Sequence, residues 1–171
     1  MTRRDLGSDP DLLAIYDFTT LVAATARSAR AHERIVRAAG APITGAGLLA
    51  LRAIARHDRI TASDVARRLQ VDLSTASRHV KALEDLGLVA RSSDPADRRV
   101  SWLEVTAAGR RILDRARDVA LNDFDAALSD WSPTDRARLA ELLDRFRQDL
   151  LAVEVDDSGW SKRRAATSAR M

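Results

Sequence analysis

The chain has 171 residues, 28 Lys plus Arg against 25 Asp plus Glu, and no cysteine, which suits one compact domain or a small domain embedded in a helical scaffold. Without cysteine there are no disulfides, thiol nucleophiles, Cys-ligated zinc, iron-sulfur clusters or thiol redox sensors. No apolar run approaches the roughly 18 residues of a membrane span, and the N-terminal MTRRDLGSDPDLL lacks a secretory apolar stretch, so the expected setting is cytoplasmic, with no membrane partner.

From Asp11 to Ala39, apolar residues recur at three- and four-residue steps (Leu12, Ile15, Phe18, Leu21, Val22, Val36), which predicts one long amphipathic helix stopped by Gly40 and Pro42. Thr44 is placed to cap a second helix whose Leu48, Leu51 and Ile54 share a side. Thr61-Ala-Ser-Asp64 reads as a capping box, with Asp in place of the usual Glu or Gln, opening a short helix with Val65, Ala66 and Leu69 inward. Asp72 caps the next segment, LSTASRHVKALEDLG, in which Ala76, Val80 and Leu83 form the inward stripe and Gly87 the stop.

After Gly87 the pattern changes to two short apolar and β-branched runs, LVARS and VSWLEV, around the polar SDPADRR, a β-hairpin with a long tip. Thr106 then caps a long helix carrying Ile112, Leu113, Ala116, Ala120, Phe124, Leu128 and Trp131. Ser132-Pro133 breaks and restarts it, and the last helix presents Leu139, Leu142, Leu143, Phe146, Leu150 and Val153. Residues 156–171 have no period and read as a basic, disordered tail.

Two short helices joined by a tight turn and followed by a hairpin are the order of a winged helix-turn-helix. Bulk charge does not support nucleic-acid binding, because Lys162, Arg163, Arg164 and Arg170 of the tail supply the excess and leave the rest slightly acidic. The case rests on a local array. With Ala76, Val80 and Leu83 turned in, the fourth helix shows Ser74, Thr75, Ser77, Arg78 and Lys81: short hydroxyls that let the backbone approach DNA, then cations that reach base edges and phosphates. A solvated helix face is the plain alternative. In the hairpin tip, Asp97 can hold a neighbouring guanidinium in one rotamer while the other of Arg98 and Arg99 enters a minor groove; incidental ion pairs in a solvated turn are the alternative.

The run LSTASRHVKALEDLGLVARSSDPADRRVSWLEVTAAGR resembles the recognition helix and wing of the MarR family of bacterial transcription regulators, through LE..GLV.R, then DP.D.R, then a hydrophobic-Thr-x-x-Gly step in which Val105 stands where Leu is frequent. The resemblance extends over roughly Leu12 to Val155. It implies an α+β, mostly α fold, a winged helix-turn-helix with long flanking dimerisation helices: an N-terminal dimerisation helix at 11–40, the DNA-binding domain at 44–106 and C-terminal dimerisation helices at 107–155. It also implies major-groove contacts by Ser74, Thr75, Ser77 and Arg78, a minor-groove contact by Arg99, and Asp97 orienting the wing. The long apolar stripes independently call for a second copy of the chain, and a symmetric homodimer reads half-sites about 10 base pairs apart.

Such a protein regulates transcription, as a repressor, from a pseudo-palindromic site on double-stranded DNA. Its family is released by small aromatic or anionic effectors, for which Tyr16, His32, His57 and Trp102 are the candidate contacts here, with Trp131 beside them; singly scattered histidines are more often ordinary structural residues. No cofactor, metal cluster or catalytic group is expected, since the chain has no Gly-rich phosphate loop, H-E-x-x-H or nucleophile elbow. The competing reading is a winged-helix interaction module or anti-repressor that does not bind DNA.

Overall fold

The structure, a computed structural model, describes residues 8–26, 28–97 and 99–155, with side chains through residue 152. The basic tail and Arg98 therefore lie outside the described residues. The chain divides into two compact units between Asn122 and Asp123.

The first unit begins with α1 (Pro10–Ala26) and α2 (Ala29–Ala38). The single helix expected over 11–39 is thus two. The Asp9 carboxylate caps α1 by accepting from the N–H groups of Asp11 and Leu12, at 3.1 and 3.2 Å. Ser28 interrupts the path: its backbone is extended (φ −69°, ψ 112°) and its side chain accepts from Ala31 N–H at 3.3 Å, which starts α2 afresh. The apolar three- and four-residue steps continue across this cap, so periodicity does not reveal it.

Next come α3 (Gly45–Ala55), α4 (Ala62–Leu69) and α5 (Leu73–Asp85). Each starts at the residue type that the backbone demands. Thr44 accepts from Gly47 N–H, Thr61 and Asp64 complete a reciprocal capping box, and Asp72 accepts from Thr75 N–H. Between α4 and α5 the chain turns through Gln70 in the left-handed region at φ 55°. Gly87, at φ +65°, ends α5 without the Cβ penalty that other residues meet there.

The hairpin is β1 (Val89–Ser93) against β2 (Ser101–Val105), antiparallel, with Val89 opposite Val105 and Ser93 opposite Ser101. Ile60, from the α3–α4 connection, adds one bridge to Leu103, whose N–H donates to Ile60 O at 2.8 Å. One core joins these elements: Leu51 and Ile54 of α3, Val65 of α4, Ala76, Val80 and Leu83 of α5, and Leu103 of β2 are fully or almost fully buried. Each large member contributes about 1.5–3 kcal/mol by leaving water. The inward stripes expected on α3, α4 and α5 are the observed ones, with Leu69 only partly covered.

Helix α6 (Ala107–Ala127) is tied to this core at its start. Thr106 donates its hydroxyl to Gly87 O at 2.7 Å and its N–H to Leu88 O at 3.0 Å, and it accepts from Gly109 N–H at 3.1 Å. Gly109 lets α6 approach so closely that a Cβ there would stand 2.2 Å from the Leu88 carbonyl oxygen.

In the second unit, α7 (Pro133–Val155) follows a turn at 128–130. Ser132 accepts from Asp135 N–H at 3.1 Å and donates to its carboxylate at 2.6 Å. Arg136 ties the turn together through Asp125 at 3.0 Å and Leu128 O at 2.6 Å. Apolar side chains on both long outer elements stay open: Leu12, Ile15, Phe18 and Leu21 on α1, and Leu142, Leu143 and Leu150 on α7. No helix among the described residues is long and apolar enough to cross a membrane.

Candidate nucleic-acid interface

Burying Ala76, Val80 and Leu83 leaves Ser74, Ser77, Arg78 and Lys81 of α5 exposed and Thr75 half-buried at its first turn. These five expected contact residues therefore do share one helix and its outer side. The structure adds how they are held. Asp72, just before α5, accepts from the Ser74 hydroxyl, from the Thr75 hydroxyl at 2.7 Å and from Thr75 N–H at 2.8 Å. These donors, the Ser74 hydroxyl foremost, hold the Asp72 carboxyl well below the usual carboxylate range. The Arg78 guanidinium lies back along α5, 3.4 Å from both Ser74 O and Ser74 Oγ, long contacts that leave it free to extend. Lys81 pairs with Asp85 at 3.0 Å one turn on, a surface pair of small energetic weight.

In the hairpin tip, Asp97 grips Arg99 as paired hydrogen bonds allow: one oxygen accepts from Arg99 N–H at 3.0 Å and Nε–H at 3.1 Å, the other from Nη2 at 3.3 Å. The Arg99 side chain is nonetheless 92% exposed, a fixed cation facing solvent. The tip is organised by a residue that sequence reasoning missed. Asp94 accepts from Ala96 N–H at 2.7 Å, Asp97 N–H at 3.2 Å and Trp102 Nε1–H at 2.8 Å. The DP dipeptide was the available signal, since aspartate before proline starts turns; the indole partner eight residues on follows only from the strand register. A second missed link is bidentate, from Arg91 on β1 to Glu84 near the end of α5, at 2.7 and 3.1 Å. It fastens the hairpin to α5.

The bonds to Asp94, Trp102 Nε1–H first, lower its pKa. A carboxylate depressed in the folded state stabilises above its unfolded pKa, about 3.9, and loses that contribution as pH falls through the folded value. The Trp102 indole N–H resonance should therefore stay constant from pH 7 to about 5 and move only below about 4. Movement near neutral pH would contradict the Asp94 partner.

The effector candidates stand on separate elements, and no described bond or cavity joins any two. Tyr16 is 66% exposed on α1, and His32 is buried in α2 with Nδ1 donating to Ser28 O at 2.8 Å. Trp102 is engaged by Asp94. His57, after α3, lines a cavity of about 560 Å³ with Asp58, Arg59, Glu104 and Arg110, and its Nε2 is enclosed without a partner. Trp131 lines a cavity with Arg138 and Leu142 in the second unit. No group of three or more His, Asp or Glu is placed to hold a metal among the described residues.

Comparisons with known proteins add an independent line. A family model described as MarR family matches residues 42–100. The chain is 32% identical over 100 residues to the HTH-type transcriptional regulator YxaD of Bacillus subtilis, a stretch covering 58% of this chain and 70% of that protein. Two further relatives are matched over 60% of their own length. Among solved structures, a MarR family protein from Bacillus stearothermophilus superposes with TM-score 0.66 at 20% identity, covering 82% of this chain and 96% of that one. A mutant MepR of S. aureus bound to an oligodeoxyribonucleotide superposes with TM-score 0.55 at 18% identity, covering 80% and 97%. These two likenesses concern the fold.

Proposed function

Since the chain belongs to the MarR family of transcriptional regulators, and is not an enzyme, we propose that it binds a pseudo-palindromic operator as a homodimer and represses transcription from it, released by a small aromatic or anionic ligand. One observation carries this reading: α5 turns Ser74, Thr75, Ser77, Arg78 and Lys81 outward beside a tip that holds Arg99 fixed in solvent. Hydroxyls at a helix N-terminus with cations one turn on suit a major groove, and an exposed arginine paired with its neighbouring carboxylate on a hairpin suits a minor groove. That a structurally similar MepR carries an oligodeoxyribonucleotide supports the same use of the fold.

Residues 44–106 form the DNA-binding part in this reading, while 11–40 and 107–155 supply the dimer contact. Open apolar faces on α1 and α7 support it, because helices of this length gain stability mainly by covering such a face. The site of action is the cytoplasm, and a divergent or adjacent gene is the natural target.

Sedimentation and mobility-shift measurements test the proposal together. At micromolar concentration the chain should sediment as a dimer and retard duplex DNA taken from beside its own gene. The logarithm of affinity should fall with log salt by about 0.9 per phosphate neutralised. A monomer contradicts the homodimer; a dimer that shifts no DNA points instead to an interaction module.

A further inference from the structure

The hydrogen-bond polarity of α5's first turn is set before any DNA arrives. Ser74 Oγ and Thr75 Oγ1 both donate to the Asp72 carboxylate, and Thr75 N–H donates to it as well. An ionised carboxylate only accepts, so each hydroxyl proton must point back at Asp72 and each hydroxyl turns lone pairs outward. The approach of Arg78 Nη2, a pure donor, to Ser74 Oγ at 3.4 Å falls on that acceptor side.

Resting on the reading of α5 as the major-groove element, we propose that Asp72 is a positioning residue that fixes Ser74 and Thr75 as hydrogen-bond acceptors toward DNA, so that the first turn of α5 selects bases presenting an amino group. In the major groove those are adenine through N6 and cytosine through N4; guanine O6 and N7 and thymine O4 are acceptors that a committed hydroxyl cannot satisfy. Asp72 need not touch the duplex for this. Its negative charge also makes the start of α5 a poor seat for a phosphate, which leaves that turn to base edges.

The substitution Asp72→Asn separates this role from helix capping, because asparagine caps as well as aspartate. Thr75 N–H requires the amide oxygen at the place of Oδ1, which sets the amide NH2 at the place of Oδ2, against Thr75 Oγ1. Thr75 must then accept from the amide and swing its own proton outward. Ser74 still donates to the amide oxygen and serves as an internal reference.

The experiment measures binding of the parent, Asp72→Asn and Thr75→Val to one selected duplex and to all its single base-pair variants, beside melting curves. The parent should favour an amino-bearing base by about three- to tenfold, the range for one hydrogen bond, at each position met by Ser74 or Thr75. Asp72→Asn should melt near the parent and reverse the preference toward guanine or thymine at the position met by Thr75 while keeping it at that met by Ser74, and Thr75→Val should erase it at the Thr75 position alone. A base preference in Asp72→Asn identical to the parent's overturns the inference while leaving the DNA reading intact. Should Asp72→Asn melt early, the Thr75→Val panel decides, since an unchanged amino preference there also overturns it. A parent that discriminates among no duplexes removes the reading of α5 itself.

Discussion

Replacing Gly109 by alanine should destabilise the first unit by about 1–3 kcal/mol or more, the range for forcing an extra group into a packed site. Alanine normally improves a helix by about 1 kcal/mol over glycine, so the expected sign runs against intrinsic propensity. The obstacle is backbone. A Cβ at 109 would stand 2.2 Å from Leu88 O and 2.7 Å from Val105 Cγ1, and the carbonyl, which already accepts from Thr106 N–H, cannot rotate aside. Helix α6 must back away from the α5–β1 junction, stretching the Thr106 bonds to Gly87 and Leu88.

Gly47→Ala provides the contrast. Its Cβ would meet Thr44 Oγ1 at 3.4 Å and Ile43 Cβ at 3.5 Å, ordinary contact distances. That variant should be neutral or more stable by up to about 1 kcal/mol. Urea denaturation of the two proteins measures both, and a Gly109→Ala variant as stable as the parent contradicts the close approach of α6.

Arg78→Ala should weaken operator binding by about 1–3 kcal/mol and relax base preference at one position per half-site. Arg78 is exposed, its internal contacts are long, and no carboxylate neutralises it among the described bonds, so little is lost when it leaves Ser74 for a base. A forked guanidinium against guanine O6 and N7 is the commonest specific base contact. Lys81→Ala should behave differently, with a small loss uniform across sequences and a salt slope lower by about one, because Lys81 is a point charge shared with Asp85. Arg99→Ala should weaken binding through the hairpin. Operator titrations across salt concentrations read all three; equal affinity of Arg78→Ala and the parent on matched and mismatched duplexes contradicts the assigned surface.

What the sequence made legible was mostly local. Thr44, Thr61, Asp72, Thr106 and Ser132 were readable as caps because each accepts from an N–H three residues on, a bond written within four letters. The inward stripe of α5 followed from helical spacing, and its outer face followed from the stripe. Ser28 escaped because a cap inside an apolar repeat leaves no gap in the repeat. Asp94 with Trp102, and Glu84 with Arg91, escaped because each bond crosses from one element to another and depends on strand register or on the angle of the hairpin. On α7, spacing identifies the apolar side chains but not what covers them: Leu142, Leu143 and Leu150 stand open, and Leu139 and Phe146 are half-buried. Residue type alone does not place a cavity: it singles out His57, but only the fold puts His57 beside Glu104 and Arg110.

The most direct test of α5 as a groove-reading element is selection by the purified protein from a random duplex library at low ionic strength. The account predicts enrichment of an inverted repeat with half-site centres about 10 base pairs, or a small multiple of a helical turn, apart. Recovery of no common sequence after repeated rounds, from a protein shown to be folded and dimeric, would contradict it.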